Sequence, residues 1–309
     1  MTRILELVKW KNYSISTDTS PIDKTISIGR IGDGKPTGLI VSGIHGDEGP
    51  WSAWAIRKLL EETNINELLG SLYLVPVANP LAMEGDTRNS PLDSIDLNRS
   101  FPGTPYGSHT EHIASILTDH AIKGADVIID LHGGGSWCVN AFTFQFPGCI
   151  ELSDAFDAPF TLEGKIRNNT LTGYARTQGA KVVAVEMGGR GKTEENWATR
   201  IAKGLRRALG IAGVLTPNNE KVKKSLPVGA SRVLAPNRSG IFAPELRETD
   251  VGTIIQGGTI LGRLLDPVTM EETELFKAPY EKTAILLLRP TLAYIEKGAM
   301  TYVVAPLIA

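Results

Sequence analysis

Apolar residues fall along this chain in two rhythms, and the change between them divides it. Up to about residue 215, short continuous apolar runs alternate with stretches of helical spacing. Gly38-Leu-Ile-Val-Ser-Gly43, Leu72-Tyr-Leu-Val-Pro-Val77, Val127-Ile-Ile-Asp-Leu131 and Lys181-Val-Val-Ala-Val185 have the length and β-branched content of buried strands. Residues 1–30 alternate apolar and polar, as in Thr25-Ile-Ser-Ile28, and read as short strands. Trp51, Trp54, Ala55, Lys58, Leu59 and Glu62 fall at helical spacing over residues 50–62, with Pro50 in the first turn where a missing N–H is tolerated. Ser108-His-Thr-Glu111 reads as a capping box opening a helix through about Lys123, with Gly124 to end it. A further helix is expected at about 194–209. Strands alternating with helices predict an α/β sheet covered on both faces.

Beyond residue 215 the helical period is lost. Thr216-Pro-Asn-Asn-Glu-Lys-Val-Lys-Lys224 is polar and turn-prone, as a linker or crossing segment would be. Short apolar strands follow, punctuated by Asn237, Gly240, Pro244, Gly252, Gly257-Gly258, Asp266-Pro267 and Pro279. This predicts a compact β module and a division into residues 1–222 and 223–309.

Composition narrows the function. Lys plus Arg is 32 and Asp plus Glu 34 in 309 residues, a net charge of −2. That balance argues against a nucleic-acid or membrane-surface binder, which needs a basic excess. Two cysteines, Cys138 and Cys149, exclude a disulfide framework and fit a reducing compartment. The N-terminus offers no continuous signal-peptide core, and no apolar run approaches ~18 residues. A cytoplasmic protein with a small-molecule partner is expected.

Two of the five histidines follow buried strands: His45 in Ile44-His-Gly-Asp-Glu48 and His132 in Ile129-Asp-Leu-His-Gly-Gly134. Ligand sites of open α/β sheets gather outside the carboxyl ends of strands. Glu48, three residues after His45, completes a His-x-x-Glu…His pattern. Two imidazoles and one carboxylate suit Zn²⁺ with a fourth position left for water, a catalytic rather than a structural set. Asp130 is a candidate to orient one of the imidazoles. Glu186, at another strand end before two glycines, is the candidate proton acceptor. The long segment from Gly85 to Gly103 carries Arg88, Asn98 and Arg99, suited to gripping a carboxylate and polarising a carbonyl.

His45-Gly-Asp-Glu48, Arg88…Asp96-Leu-Asn98-Arg99-Ser-Phe-Pro, Asp130-Leu-His132 and Val185-Glu186 occur in one order. In that order they resemble the succinylglutamate desuccinylase/aspartoacylase family of the zinc carboxypeptidase-like clan, in its bacterial deacylase branch. The resemblance implies a mixed, mostly parallel central sheet with helices on both faces, and one Zn²⁺ per chain. It implies His45, Glu48 and His132 as zinc ligands and Glu186 as general base. Arg88 would hold the oxyanion, and Asn98 and Arg99 the substrate carboxylate. The implied reaction is hydrolysis of the amide of an N-acyl amino acid or related small N-acyl amine by metal-activated water. The loop between Arg88 and Asn98 is longer than in aspartoacylase, which departs from an aspartate-derived substrate.

Ser239-Gly-Ile-Phe-Ala-Pro244, Gly257-Gly-Thr-Ile-Leu-Gly262 and Ala278-Pro279 resemble a lipoyl-like barrel-sandwich module. Lys277 and Lys282 flank the place of a carrier lysine, but the Met-Lys signature is missing. The module is therefore expected to be structural, shaping the cleft or a homo-oligomer contact. The rival reading is a metallocarboxypeptidase removing a C-terminal residue from a small peptide. A lapsed zinc scaffold is disfavoured by Glu186, which a structural site would not need. Gly188-Gly-Arg-Gly-Lys-Thr193 fails as a phosphate loop because Glu186 stands where glycine is required.

Overall fold

The four apolar runs lie side by side and in parallel. In the computed structural model, which describes residues 2–15, 24–218, 220 and 222–308, they form β3 (Thr37–Ser42), β4 (Ser71–Val75), β5 (Val127–His132) and β8 (Lys181–Gly188). They follow β1 (Lys9–Ser14) and β2 (Thr25–Ile31), and are joined by β6 (Val139–Gln145) and β7 (Phe160–Glu163). The expectation of strands within residues 1–30 is met by β1 and β2, while 16–23 lie outside the described residues.

The order is β1-β2-β4-β3-β5-β8-β6, parallel from β4 to β8 and antiparallel toward both ends. Every residue of β3 and β5 is buried, which is why these strands read as unbroken apolar runs. From β3 the chain passes to β4 on one side and later to β5 on the other. The crevice outside the carboxyl ends of β3 and β5 is thus a topological switch point, where open α/β sheets bind ligands.

The helices are α1 (Gly49–Glu62), α2 (Pro80–Glu84), α3 (His109–Leu117), α4 (Ile150–Asp154), α5 (Leu171–Thr177) and α6 (Glu194–Ile211). Trp51, Ala55, Ile56, Leu59 and Leu60 form the buried stripe of α1, and Ala198, Ile201, Ala202, Leu205 and Leu209 that of α6. The Ser108/Glu111 capping box is present, and α3 runs into a π-helical turn over Thr118–Ile122. Gly124, at φ 85°, ends it as expected.

Beyond residue 222 the regular elements among the described residues are strands apart from a 3-10 turn at Glu248–Asp250: β9 (Leu226–Pro227), β10 (Arg232–Leu234), β11 (Gly240–Pro244), β12 (Ile254–Gln256), β13 (Ile260–Leu265), β14 (Glu272–Lys277), β15 (Lys282–Leu288), β16 (Ala293–Ile295) and β17 (Tyr302–Pro306). Strands β14-β13-β11-β16 make a separate antiparallel sheet. The others continue the first one. β15 pairs with β6 through Leu287↔Asn140 and Leu288↔Val139, and β9 pairs with β7. Phe242, Phe276 and Tyr302 close the space between the sheets edge to face, together with Val139 and Ala141 of β6. Lys277 and Lys282 stand on either side of the β14–β15 turn.

Candidate metal centre and its cavity

A tight turn sets up the site. Gly43 leaves β3 with φ 68°, and Gly46 sits against the Ala82 and Met83 backbone of α2 with no room for a side chain. The backbone N–H groups of Gly46 and Asp47 donate to the carbonyls of Arg88 and Thr87. This lays the Arg88 loop on the His45 turn. Residues 46–48 then make one 3-10 turn into α1, carrying Glu48 beneath His45. His132 is the last residue of β5 and is in register with Glu186 on β8.

His45, Glu48 and His132 are buried, with ligand atoms within 4.8 Å of one another. Both Nδ1 atoms face the same carboxylate: His45 lies 3.0 Å from Glu48 Oε1 and His132 2.8 Å from Oε2. Both Nε2 atoms face other carboxylates, His45 toward Asp96 Oδ1 at 3.2 Å and His132 toward Asp130 Oδ2 at 3.1 Å. An outer carboxylate hydrogen-bonded to Nε2, as Asp96 is to His45, favours the tautomer that leaves the Nδ1 lone pair for a cation, whereas Asp130 lies at ion-pair distance from His132 without a hydrogen bond. The donor set and its supports fit a divalent metal.

The charges bind each other tightly. Burial opposes charge on His45 and His132, but Glu48, Asp96 and Asp130 overcome it and hold both imidazoles above their usual range. Burial likewise opposes the Glu48 and Asp96 carboxylates, and the histidines hold both well below theirs.

Every predicted site residue borders one cavity of about 1570 Å³. Arg88 donates to Glu48 Oε1 at 3.0 Å and Asp96 Oδ2 at 3.3 Å. Asn98 Oδ1 accepts from the Leu171 N–H at 2.9 Å, and its Nδ2 lies 3.3 Å from His132 Nε2. Arg99 is exposed at the rim and donates to the Asn98 carbonyl. Glu186 accepts from Asn140 Nδ2 at 2.7 Å, and burial pushes its carboxyl up to about 7.

Asp130, the expected orienting carboxylate, lies 3.1 Å from His132 Nε2 without a hydrogen bond, and Asp96, which the sequence reading did not single out although it lies within a quoted motif, faces His45 Nε2. Asn140 had no signal at all. Trp51 is core, its indole donating to the Met187 carbonyl at 3.0 Å, and Cys138 is a buried thiol. Arg176 supports the Pro147 carbonyl and the Phe146 ring and is not part of the cavity lining. In the glycine-rich stretch, Arg190 pairs with Asp86 and Thr193 bonds Glu248. No helix among the described residues is long and apolar enough to cross a membrane.

The family model of the succinylglutamate desuccinylase/aspartoacylase catalytic domain matches residues 35–212. An N-alpha-acetyl-L-2,4-diaminobutyric acid deacetylase of Halomonas elongata is 28% identical over 303 residues, covering 92% of this chain and 85% of the relative. A crystal structure of a succinylglutamate desuccinylase from Silicibacter superposes with a TM-score of 0.81 at 25% identity, over 97% of this chain and 95% of that one. The product-bound ectoine utilization protein EutE of Ruegeria pomeroyi gives 0.80 at 26% identity, with the same coverage.

Proposed function

The chain belongs to the succinylglutamate desuccinylase/aspartoacylase family of amide-hydrolysing deacylases, and on that premise we propose that it is a zinc enzyme releasing the acyl group of a small N-acyl amino acid or amine. The observation that carries this reading is a complete ligand set beside a carboxylate outside it. His45, Glu48 and His132 converge, while the Glu186 carboxylate borders the same cavity and accepts a hydrogen bond from Asn140.

Zinc held by those three residues would supply Lewis acidity and an acidified water. Glu186, raised toward neutrality by burial, takes a proton from water and returns it to the departing amine. With Glu48 committed to a cation, Arg88 turns its guanidinium to the oxyanion of the tetrahedral intermediate. Asn98 and Arg99 hold the substrate carboxylate in register.

Residues 223–309 act as a structural β-rich, lipoyl-like unit. Val228, Ser231, Leu287, Arg289 and Met300 wall the cavity from that side, which favours a small substrate over an extended peptide. The Halomonas relative, named for an N-acetylated diamino acid, supports the same substrate class.

The test is metal content of the purified chain, paired with amine release from N-acetyl, N-succinyl and N-formyl amino acids and from dipeptides. About one zinc per chain with release from an acyl-amino acid is expected. Cleavage of dipeptides alone would transfer the function to the carboxypeptidase class. Failure to bind zinc on reconstitution would overturn the mechanism.

A further inference from the structure

Strand β6 carries a polar side chain for which the packing of the sheet has no use. Asn140 stands between Val139 and Ala141, which join the aromatic cluster of the second sheet, and is itself 3% exposed. Its backbone is held on both sides, by Gly188 of β8 and by Leu287 of β15. Apolar side chains suit a strand covered in this way. The amide is moreover poorly satisfied. Its Nδ2 donates to Glu186 Oε2 at 2.7 Å, while its Oδ1 is buried without a partner among the described residues. A buried acceptor left unpaired lowers stability. What the side chain does have is its bond to Glu186.

The ladder shows why an asparagine here reaches that carboxylate. Phe142 lies directly across from Glu186, and Asn140 directly across from Gly188. Residues two apart on a strand share a face, so Asn140 stands on the cavity face with Glu186, one diagonal step away. Gly188 has φ 97° and the Trp51 ring where a Cβ would point, so that position brings no side chain between the two. Phe142 has no donor to offer the carboxylate. A neutral amide also suits the task. Lysine or arginine in its place would favour the ionised carboxylate and weaken it as a base.

A general base works when one oxygen is presented to the reacting proton in a fixed direction. We propose that Asn140 is the positioning residue of the base: by holding Oε2 of Glu186 it leaves Oε1 for the proton of the attacking water. This rests on the deacylase reading of the cavity. It also gives β15 a part in the chemistry, because Leu287 pairs with the residue that aims Glu186.

Asn140→Leu, nearly the same shape without the donor, tests this in the zinc-loaded full chain with N-acetyl, N-succinyl and N-formyl amino acids as probes. Its kcat is expected to fall about tenfold to hundredfold, with KM and zinc content unchanged. The midpoint of urea unfolding should stay or rise, since the unpaired Oδ1 is gone and Glu186, only partly buried, can take a water instead. Asn140→Gln, which keeps the donor on a longer arm, should recover part of kcat. In a Glu186→Gln background, Asn140→Leu should lower kcat no further. Undiminished kcat in Asn140→Leu, a lowered unfolding midpoint, or full additivity with Glu186→Gln would overturn the assignment. Equal losses in Asn140→Leu and Asn140→Gln would do the same. Amine release from no probe by the wild type would instead sink the deacylase reading, and the assignment with it.

Discussion

On the β5 side of the cavity each imidazole nitrogen of His45 and His132 faces a carboxylate, whereas on the β15 side the guanidinium of Arg289 faces none. The first wall is closed: Glu48, Asp96 and Asp130 hold the rings so that a cation meets preset donors. The second wall is open, offering that guanidinium, on a backbone fixed by Thr301, and the exposed indole of Trp137. Groups that must hold one ion in one geometry are satisfied within the protein.

The largest effect should come from the residue between the walls. Glu186→Gln is expected to keep its zinc and lose turnover by a factor on the order of 10²–10⁴, read from metal analysis and amine release on one preparation. Near-normal turnover in the metal-loaded variant would remove Glu186 from proton transfer. Next come the supports of the closed wall. Asp96→Asn and Asp130→Asn should each weaken zinc binding about 10–100-fold in a chelator competition, and Arg289→Gln should not. Equal weakening by all three would erase the difference between the walls.

An effect on stability rather than on metal or turnover concerns Cys138, a neighbour of Arg289 on the open side. Burial pushes its thiol up to about 11, with Arg289 opposing and Asp47 assisting. The folded chain then keeps a proton that the unfolded chain loses above the usual thiol value of 9.0. Stability from this group is full below that value and is lost as pH rises through about 11. At about 1.4 kcal/mol per unit, wild type should lose ~2–3 kcal/mol more than Cys138→Ala across that window in urea unfolding. Parallel alkaline slopes for the two proteins would show that the thiol titrates normally.

How much of this was legible in the chain follows from distance along it. The parallel strands announced themselves because burial on both faces leaves unbroken apolar runs; His45 and His132 lie at or just past the ends of β3 and β5, while Glu186, expected at a strand end, lies two residues inside the end of β8. α1, α3 and α6 carried full periods or caps. β6 was missed because Val139-Asn-Ala-Phe-Thr-Phe-Gln145 is buried on both faces yet interrupted by Asn140 and Thr143, which blurs both patterns. α5 spans only seven residues, too few for a helical rhythm to declare itself. Asp96 stood in a recognised motif, but its partner His45 is 51 residues away. No local pattern encodes the pairing of Leu287 with Asn140, which puts Arg289 in the cavity wall.

That pairing also bears on where the chain can be cut. The first half of β6 has β8 along one side and β15 along the other, with Val139 and Ala141 facing the aromatic cluster of Phe242 and Tyr302. A truncation near residue 222 would strip β15 away and bare both a row of peptide groups and an apolar surface. An uncovered strand margin of that kind recruits other chains into intermolecular sheets. Residues 223–309 thus cover that strand margin as well as walling the cavity.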